Sequence, residues 1–222
     1  MIERKKYLNQ LRRRNGNGLI KIITGIRRSG KSYLLFNIYY DYLKSQGVDD
    51  KHIIRLALDE KKNAKYRNPM HLDDYIQKQL KDDKMHYIFL DEIQKVKSVK
   101  NPYLDDPEEK IGFVDVLLGL MKQDNVDVYA TGSNSKMLSS DILTEFRGRG
   151  DEIRVSPLSY KEFYDAYQGD KYHAWHEYIT YGGMPFAATL RSHEDKSKYL
   201  QELFKKVYLA DVLERRKLQN DE

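Results

Sequence analysis

The 222-residue sequence predicts an α/β fold, with a five-stranded, mostly parallel sheet between helices, followed by a small helical extension. Three features predict this fold. Short apolar segments alternate with amphipathic ones, a glycine-rich turn joins the first apolar segment to a helix, and only helical patterns follow Pro157. We therefore expect a core domain at residues 1–156 that begins with a basic helix, and a helical extension at residues 157–222.

The predicted strands are short and mostly apolar, as the strands of a buried parallel sheet are. They span Leu19–Thr24, Ile53–Leu58, Tyr87–Asp91, Val126–Ala130 and Glu152–Val155. Apolar residues at helical spacing predict amphipathic helices at residues 34–42 and 113–121. Residues 101–107 are polar and include two prolines, so they predict a surface loop between the third strand and the helix that follows it.

The predicted extension consists of helices separated by a break. Ser159 and Glu162 have the spacing of a capping box, which predicts that a helix begins there. Residues 172–181 predict a second helix, and the glycines and proline of residues 182–185 interrupt the chain before a third. The charged stretch at residues 215–222 carries no helix stop signal, so we expect the chain to be the first part of a longer protein.

The composition excludes several classes of protein. Hydrophobic residues make up 40% of the chain, but there is no run of about 18 apolar residues, and the N-terminus lacks the apolar core of a secretory signal. The absence of cysteine rules out disulfides, thiolate zinc sites and cysteine nucleophiles. We therefore expect a soluble protein of the cytoplasm with no membrane partner.

The formal net charge is +5, and the excess of basic residues is concentrated near the N-terminus. Ten basic residues precede Ser32, with Glu3 as the one acidic residue among them: Arg4, Lys5, Lys6, Arg12, Arg13, Arg14, Lys21, Arg27, Arg28 and Lys31. Such a cluster suits a solvated helix face, or it attracts an anion, either a nucleotide or a nucleic acid. Charge alone leaves these interpretations open, so nucleic acid stays a candidate partner.

Residues 25–32 read Gly-Ile-Arg-Arg-Ser-Gly-Lys-Ser, which matches the phosphate-loop pattern G-x-x-x-x-G-K-[ST] between a strand and a helix. Gly25 and Gly30 permit backbone conformations in which successive amides face phosphate oxygens. Lys31 adds a positive charge at the β- and γ-phosphates, and the Ser32 hydroxyl is an expected ligand of Mg²⁺. The predicted nucleotide-binding residues are Gly25, Ile26, Arg27, Arg28, Ser29, Gly30, Lys31, Ser32 and Tyr33.

Two adjacent carboxylates, Asp91 and Glu92, follow the apolar residues of the third predicted strand. A buried parallel strand delivers such residues to the ligand crevice at its carboxyl edge. Asp91 is therefore a candidate for holding Mg²⁺ or its water shell, and Glu92 for polarising an attacking water as general base. Acidic residues also end strands as turn formers or helix caps, and it is the phosphate loop that favours the catalytic interpretation.

Three further residues are candidate catalytic groups. Asn134 follows the fourth predicted strand and can reach toward the γ-phosphate and the attacking water, although asparagine also suits a helix cap. Arg147 and Arg149 present guanidiniums on glycine-containing backbone before the fifth strand, as an arginine finger would within or between subunits. Exposed loop arginines without a catalytic role are the alternative.

Five blocks in order resemble the prokaryotic AAA-type ATPases of the archaeal-ATPase-like group: Gly-Ile-Arg-Arg-Ser-Gly-Lys-Ser, Leu-Asp-Glu-Ile-Gln, Thr-Gly-Ser-Asn-Ser, Phe-Arg-Gly-Arg and Tyr-Gly-Gly-Met-Pro. The similarity runs from about Leu8 through Val212. It implies an additional-strand P-loop NTPase core that uses ATP and Mg²⁺, followed in longer members by a winged-helix segment and a further C-terminal domain. The implied roles are Lys31 and Ser32 in the phosphate loop, Asp91 on magnesium, Glu92 as catalytic base and Asn134 as sensor. Arg147 and Arg149 match the Arg-Gly-Arg block of that group.

Three functions are consistent with these residues. The leading hypothesis is an ATPase of the motor or switch kind, in which Glu92-assisted hydrolysis drives or reports a conformational change, with a protein partner or a second copy of the chain. The second is a nucleic-acid or protein interaction module in which bound ATP is structural and turns over little. The third is a small-molecule kinase, with Arg147 and Arg149 in its lid. The base-reading Asn-Lys-x-Asp signature of GTPases is absent.

Overall fold

The computed structural model of the chain describes residues 2–106, 108–132, 146 and 148–208. Those residues group into two compact units. The larger unit holds the described residues of 5–24 and 31–154, and the smaller holds residues 2–4, 25–30 and 155–208. The domain boundary after residue 156 stays a prediction.

The larger unit is built on a parallel sheet. The strands of the described chain are β1 Ile20–Thr24, β2 Ile53–Ala57, β3 His86–Asp91, β4 Val99–Lys100, β5 Lys110–Ile111, β6 Val126–Thr131 and β7 Gly150–Arg154. Five of them form one sheet in the order β2-β3-β6-β1-β7, and every neighbouring pair is parallel. The predicted α/β fold is therefore confirmed, with β6 as the additional strand between β1 and β3.

Helices of the larger unit connect these strands. They are α1 Lys5–Arg14, α2 Lys31–Tyr33, α3 Tyr40–Ser45, α4 Pro69–Gln77 and α5 Phe113–Leu120. A π-helical segment, Leu34–Tyr39, joins α2 to α3, and 3₁₀ turns span Asp50–His52, Lys61–Arg67 and Ile93–Lys95. The polar segment that was predicted to be a loop joins β4 to β5, which pair as a short antiparallel ribbon that the sequence analysis did not anticipate.

Alternate residues of each strand point to opposite faces of the sheet, and the two faces differ in chemistry. One face is aliphatic and packs against α4 and α5. Its buried core comprises Ile20, Ile22, Ile54, Leu56, Ile88, Leu90, Val126, Val128 and Ala130 from the strands, with Leu72, Ile76, Val116, Leu117 and Leu120 from the helices. The other face is aromatic: Tyr39 of the π-helical segment packs with ring centres 5.7 Å from Phe89 and 5.0 Å from Tyr129.

The aromatic face also buries an ion pair. Lys21 of β1 is fully buried and its ammonium contacts the carboxylate of Asp127 in β6. The Tyr129 hydroxyl donates to Asp127 Oδ2 at 2.7 Å, and the hydroxyls of Tyr129 and Tyr39 lie 2.7 Å apart. Burial lowers the pKa of Lys21, and the charge of Asp127 opposes that effect. The predicted strands were described as mostly apolar, so this polar layer is a feature that the sequence did not reveal.

The smaller unit is helical in its C-terminal part, as predicted. Its helices are α6 Tyr160–Asp165, α7 Lys171–Tyr181 and α8 His193–Leu203, with a 3₁₀ turn at Ala187–Thr189 and a π-helical turn at Phe204–Tyr208. The capping box is confirmed, because the Ser159 amide donates to Glu162 Oε2 at 2.9 Å and the Glu162 amide donates to Ser159 Oγ at 3.3 Å. Within the described ranges, no helix combines the length and the apolar character that crossing a membrane requires.

Gly183, the second glycine of the Tyr-Gly-Gly-Met-Pro block, lies where two backbone segments approach closely. The Leu158 amide donates to the Gly183 carbonyl oxygen at 2.7 Å, so the two backbones lie side by side. A Cβ on Gly183 would be 2.1 Å from the Leu158 carbonyl oxygen. A larger residue there would push this connection apart.

Candidate nucleotide-binding site

The glycine-rich loop has a backbone that ordinary residues cannot follow. Gly25 has φ of +137°, and a Cβ there would lie 2.1 Å from the Val155 carbonyl oxygen. Gly30 has φ of +94°, and Arg28 takes a left-handed conformation with φ of +63°. Alternating conformations of this kind turn successive amides toward one concave side, which is the backbone arrangement that holds anions. Gly25 is therefore fixed by both its conformation and the close approach of Val155.

Side chains of the loop have separate roles within the smaller unit. The guanidinium of Arg28 lies 5.6 Å from the ring centre of Tyr199 in α8, a cation–π contact. Ser29 is fully buried, and its amide donates to the Ile26 carbonyl oxygen at 3.3 Å. These contacts involve the Arg28 side chain and the Ser29 amide, and the phosphate contacts of the loop residues stay predictions.

Arg4 belongs to the N-terminal basic cluster, for which a solvated helix face and attraction of an anion were both left open, but it is buried beside the loop. Its guanidinium donates to the carbonyl oxygens of Ser29 at 3.1 Å and Ser156 at 2.6 Å, and it pairs with Glu162 at 3.0 Å. Arg4 therefore ties the loop backbone to the start of α6. No sequence signal indicated this role, because Ser29 and Ser156 lie 25 and 152 residues away along the chain.

Helix α2 carries the last residues of the motif. Lys31 is only 4% exposed, Ser32 is half-buried, and Tyr33 is exposed on the surface. The contact of the Lys31 ammonium with phosphate oxygens stays a prediction. The exposure of Tyr33 gives no support to its predicted contact with the nucleotide.

Asp91 brings three chain segments together at the carboxyl edge of the sheet. The Ser32 hydroxyl donates to Asp91 Oδ1 at 2.9 Å, and the Thr131 hydroxyl at the end of β6 also donates to Asp91 Oδ1. Burial raises the pKa of Asp91, while the two hydroxyl hydrogen bonds act in the opposite direction. Asp91 and Thr131 share the aromatic face with Phe89 and Tyr129, because each pair lies two residues apart on its strand.

Glu92 follows Asp91 in a left-handed conformation, with φ of +56° and ψ of +48°. Such a conformation costs a non-glycine residue about 1–3 kcal/mol and is concentrated at functional sites. The Glu92 amide donates to Thr131 Oγ1 at 3.3 Å, and the Gln94 side-chain amide donates to Glu92 Oε2. Gln94, which the sequence analysis did not single out, therefore orients the carboxylate of the predicted base.

The oxygens of Ser32 and Asp91 fit a magnesium ion. Both are hard donors, and neighbouring ligands of an octahedral ion with bonds of 2.0–2.1 Å are about 2.9 Å apart. The distance between Ser32 Oγ and Asp91 Oδ1 is 2.9 Å. The residues that the sequence predicted for Mg²⁺ therefore have the spacing that it requires.

The remaining predicted catalytic residues do not join this group. Asn134 and Arg147 lie outside the described residues. Arg149 is exposed and precedes β7, where its carbonyl oxygen accepts from the Ile20 amide at 3.1 Å. Because β1 and β7 are parallel, this position is at the amino edge of the sheet, opposite to Asp91. Of the two finger roles predicted for Arg149, the position suits the one between subunits.

Comparison with known proteins shows the family and the fold of the chain. Residues 17–164 match the sequence profile of a family described as an AAA domain. The chain belongs to this AAA-domain family. Among solved structures, a Walker-type ATPase of Pyrococcus abyssi aligns over 100% of this chain and 77% of its own, with a TM-score of 0.58 and 15% identity, which shows a shared fold.

Two curated relatives of this AAA domain have comparable similarity along most of its length. An uncharacterized protein of Haemophilus influenzae is 32% identical over 221 residues, which cover 97% of this chain and 51% of the relative. An uncharacterized protein of Methanocaldococcus jannaschii is 27% identical over 217 residues, which cover 90% of this chain and 43% of the relative. The chain thus spans about half the length of the curated relatives that it matches.

Proposed function

We propose that this AAA domain binds ATP with Mg²⁺ and hydrolyses it, and that hydrolysis drives or reports a conformational change. The observation that carries the proposal is the contact of Asp91 with Ser32 and Thr131. Ser32 of the phosphate loop precedes Asp91 by 59 residues in the chain, and both residues were predicted to hold Mg²⁺. Their contact lies at the carboxyl edge of a parallel sheet, where ligands of such folds bind.

The proposed roles follow from the chemistry of each group. Phosphate-loop amides and the ammonium of Lys31 are the groups proposed to bind the phosphate oxygens. Ser32 and Asp91 hold Mg²⁺, which when bound neutralises charge on the β- and γ-phosphates. Thr131 donates to Asp91 and keeps its carboxylate aimed at the ion. Ser32, Asp91 and Thr131 are already in contact, so little reorganisation of these three residues accompanies magnesium binding.

Glu92 supplies the base in this proposal. It accepts a proton from water as the water oxygen bonds to the γ-phosphorus, and the bond from that phosphorus to the β–γ bridging oxygen breaks to release ADP. Gln94 donates to Glu92 Oε2 and holds the carboxylate in one orientation. The left-handed backbone at Glu92 turns its side chain away from the regular strand direction that Asp91 follows.

Two substitutions test the proposal, with phosphate release and magnesium-nucleotide affinity as the readouts. Lys31→Ala should weaken Mg-ATP binding by tenfold or more, because a hydrogen bond to a charged group contributes about 1.5–3 kcal/mol. Glu92→Gln should keep Mg-ATP affinity and slow hydrolysis by about a hundredfold or more, as expected when a general base is lost. Glu109→Gln removes a carboxylate from an exposed position and serves as the matched control.

Normal turnover by the Glu92→Gln variant would remove Glu92 from the mechanism. Absence of binding by the wild-type chain to any magnesium nucleotide would reject the proposal as a whole. Transfer of the γ-phosphate to an added acceptor rather than to water would favour the kinase alternative.

An interaction module with little turnover is the second candidate. Exposed basic residues of α1 favour it: Lys5, Lys6, Arg12 and Arg13. Other members of the N-terminal basic cluster serve internal contacts, since Arg4 and Lys21 are buried and Arg14 pairs with Asp151 at 2.7 Å. Labelled DNA that binds at low salt and dissociates steeply as salt rises would support a nucleic-acid partner, and no binding at low salt would exclude it.

A protein partner or a second copy of the chain is also part of the proposal. Arg149 supports the second copy, because its exposed position at the amino edge suits action on a neighbouring subunit. Arg149→Ala should then reduce turnover more at high protein concentration than at low. Equal turnover per subunit across a wide concentration range would argue for a subunit that works alone.

A further inference from the structure

A second cluster of polar side chains lies at the amino edge of the same sheet. Strands β2 and β3 are parallel and pair Ile53 with Tyr87, which places the preceding residues, His52 and His86, side by side. Their rings meet edge to face, with centres 4.9 Å apart and planes at 81°. Asp82 lies in the turn that leads into β3 and completes the cluster.

The carboxylate of Asp82 contacts both imidazoles. His52 Nε2 lies 3.0 Å from each carboxylate oxygen of Asp82, and His86 Nε2 lies 3.8 Å from Oδ1. One ligand atom from each of the three residues can be chosen such that all lie within 4.8 Å of one another. An ion placed between these three atoms would therefore lie close to one nitrogen or oxygen of each residue.

Hydrogen bonds at the back of the cluster orient it. The Nδ1 atom of His86 lies 2.7 Å from the Lys84 carbonyl oxygen, which makes Nδ1 the protonated nitrogen and leaves the Nε2 lone pair toward Asp82. The Asn125 side-chain amide donates to the Asp82 carbonyl oxygen at 3.1 Å, and the Lys84 amide donates to Asp82 Oδ1 at 3.2 Å. Metal-binding histidines typically donate their second nitrogen to a backbone carbonyl in this way.

We propose that His52, Asp82 and His86 bind a divalent transition-metal ion of the zinc type. Tetrahedral zinc with bonds of 2.0–2.1 Å places its ligand atoms about 3.3 Å apart, and the observed separations of 3.0 and 3.8 Å lie on either side of that value. Two imidazoles with one carboxylate is a ligand set that zinc accepts, whereas magnesium takes oxygen ligands. The chain has no cysteine, so nitrogen and oxygen must supply the ligands.

The surroundings allow a fourth ligand to enter. The histidine side chains are 5% and 1% exposed, while that of Asp82 is 34% exposed and opens the cluster toward solvent. Water can therefore take the fourth position. Lys51 lies 3.4 Å from Asp82 Oδ2, but its side chain is 65% exposed and can turn into solvent when the ion binds.

Bound metal would join the amino ends of β2 and β3. The ion would replace the hydrogen bond between His52 and Asp82 with bonds from all three residues to one centre. Since a ligand that binds only the folded chain stabilises it, we expect metal to raise the melting temperature of the protein. The alternative is that the cluster is a hydrogen-bonded ion pair with no affinity for metal.

The test uses the full chain without an affinity tag, stripped with EDTA and titrated with CoCl₂. Four-coordinate Co²⁺ absorbs strongly in the visible range, so one equivalent should produce a band that one equivalent of ZnCl₂ removes. Zn²⁺ should also raise the melting temperature. His86→Gln and Asp82→Asn should each weaken Co²⁺ affinity by about tenfold or more, at least as much as the loss of a group that only orients a ligand.

Two histidines elsewhere provide matched controls. His71 is exposed on α4, and His176 is exposed on α7, where it lines a surface pocket with His173 and His193. His71→Gln and His176→Gln should keep the cobalt band at full strength. A melting curve in EDTA shows whether each variant is folded. If His86→Gln does not fold, Asp82→Asn tests the metal site instead, because the Asp82 side chain is partly exposed.

The proposal is overturned if the wild-type chain gives neither the cobalt band nor a zinc-dependent rise in melting temperature. It is equally overturned if the band survives Asp82→Asn in a folded protein. Loss of the cobalt band in His176→Gln alone would show that the metal binds in the smaller unit. That result would reject the site at His52, Asp82 and His86.

Discussion

The two edges of the sheet carry different chemistry, although a single strand connects them. Strand β3 begins at His86 and ends at Asp91, about 16 Å apart at the usual rise per residue. At the carboxyl edge, Asp91 meets the hydroxyls of Ser32 and Thr131 on the aromatic face. At the amino edge, Asp82 meets two imidazoles, and His86 shares the aliphatic face with Ile88 and Leu90.

This difference shows how one parallel sheet separates two kinds of ligand. At the carboxyl edge, Ser32, Asp91 and Thr131 offer oxygen atoms, which suit Mg²⁺. The amino edge offers nitrogen atoms with one carboxylate, which suits a softer ion. Side chains alternate between the two faces along β3. The interval from residue 86 to residue 91 is odd, so the two ends of the strand present their side chains on opposite faces.

The largest expected effect separates the two edges by metal preference. Asp91→Asn should lower magnesium-dependent ATP turnover on the order of a hundredfold, as loss of a preorganised charged group does, and should leave the cobalt band intact. Phosphate release and cobalt titration of the same preparation measure both. Loss of the cobalt band in Asp91→Asn would show that Co²⁺ binds at the carboxyl edge, and the comparison would fail.

A smaller effect is expected from the hydroxyl that supports Asp91. Thr131 is fully buried, donates to Asp91 and accepts from the Glu92 amide. Thr131→Val keeps the shape and removes both hydrogen bonds, so kcat/KM should fall about tenfold, near the 1.5 kcal/mol of a hydrogen bond to a charged group. Thr131→Ser keeps the hydroxyl and is the matched control. Equal impairment of both variants would point to packing rather than hydrogen bonding.

The smallest effect is a contrast in pH dependence between the two aspartates of the metal-free protein. Hydrogen bonding to His52 lowers the pKa of Asp82, whereas burial raises the pKa of Asp91. A lowered pKa contributes stability above the unfolded value of about 3.9 that is lost as the pH falls below it. A raised pKa has the opposite sign, so the stability of the folded chain declines as the pH rises from about 3.9 through the folded pKa of Asp91.

Urea unfolding in EDTA between pH 3 and pH 7 measures this contrast. At pH 7, Asp82→Asn should lower the free energy of unfolding and Asp91→Asn should raise it. Both differences should shrink toward pH 3, because the carboxyl of Asp82 then becomes protonated in the unfolded chain and that of Asp91 becomes protonated in both states. Shifts of the same sign in the two variants would contradict the assignment of opposite environments.

Local pattern was sufficient for much of the fold. All five predicted sheet strands are present, because each is a short apolar run whose burial follows from its own composition. Lys21 and Asp127 interrupt that pattern, and no local feature of the sequence indicates that they pair across neighbouring strands. The π-helical segment after α2 and the ribbon of β4 and β5 were also not anticipated, since both depend on backbone details that apolar spacing does not specify.

The candidate site divides in the same way. Gly25, Ser32 and Asp91 could be proposed from motifs, because their residue types and spacing are required by the chemistry of phosphate and magnesium. Arg4 and Gln94 could not, since their importance lies in what they contact. Thr131 had no role assigned from the sequence, and its contact with Asp91 follows from the strand order, which places β6 beside β3.

The sequence by itself determined the alternation of strands and helices, the phosphate loop and the acidic strand end, because each depends on residues close together in the chain. Tertiary structure alone decided which distant residues meet: Arg4 with Ser156, Ser32 with Asp91, and His52 with His86. The physical reason is strand pairing. The packing of whole elements fixes the register between parallel strands. A single segment of sequence therefore does not specify which strand will pair with it.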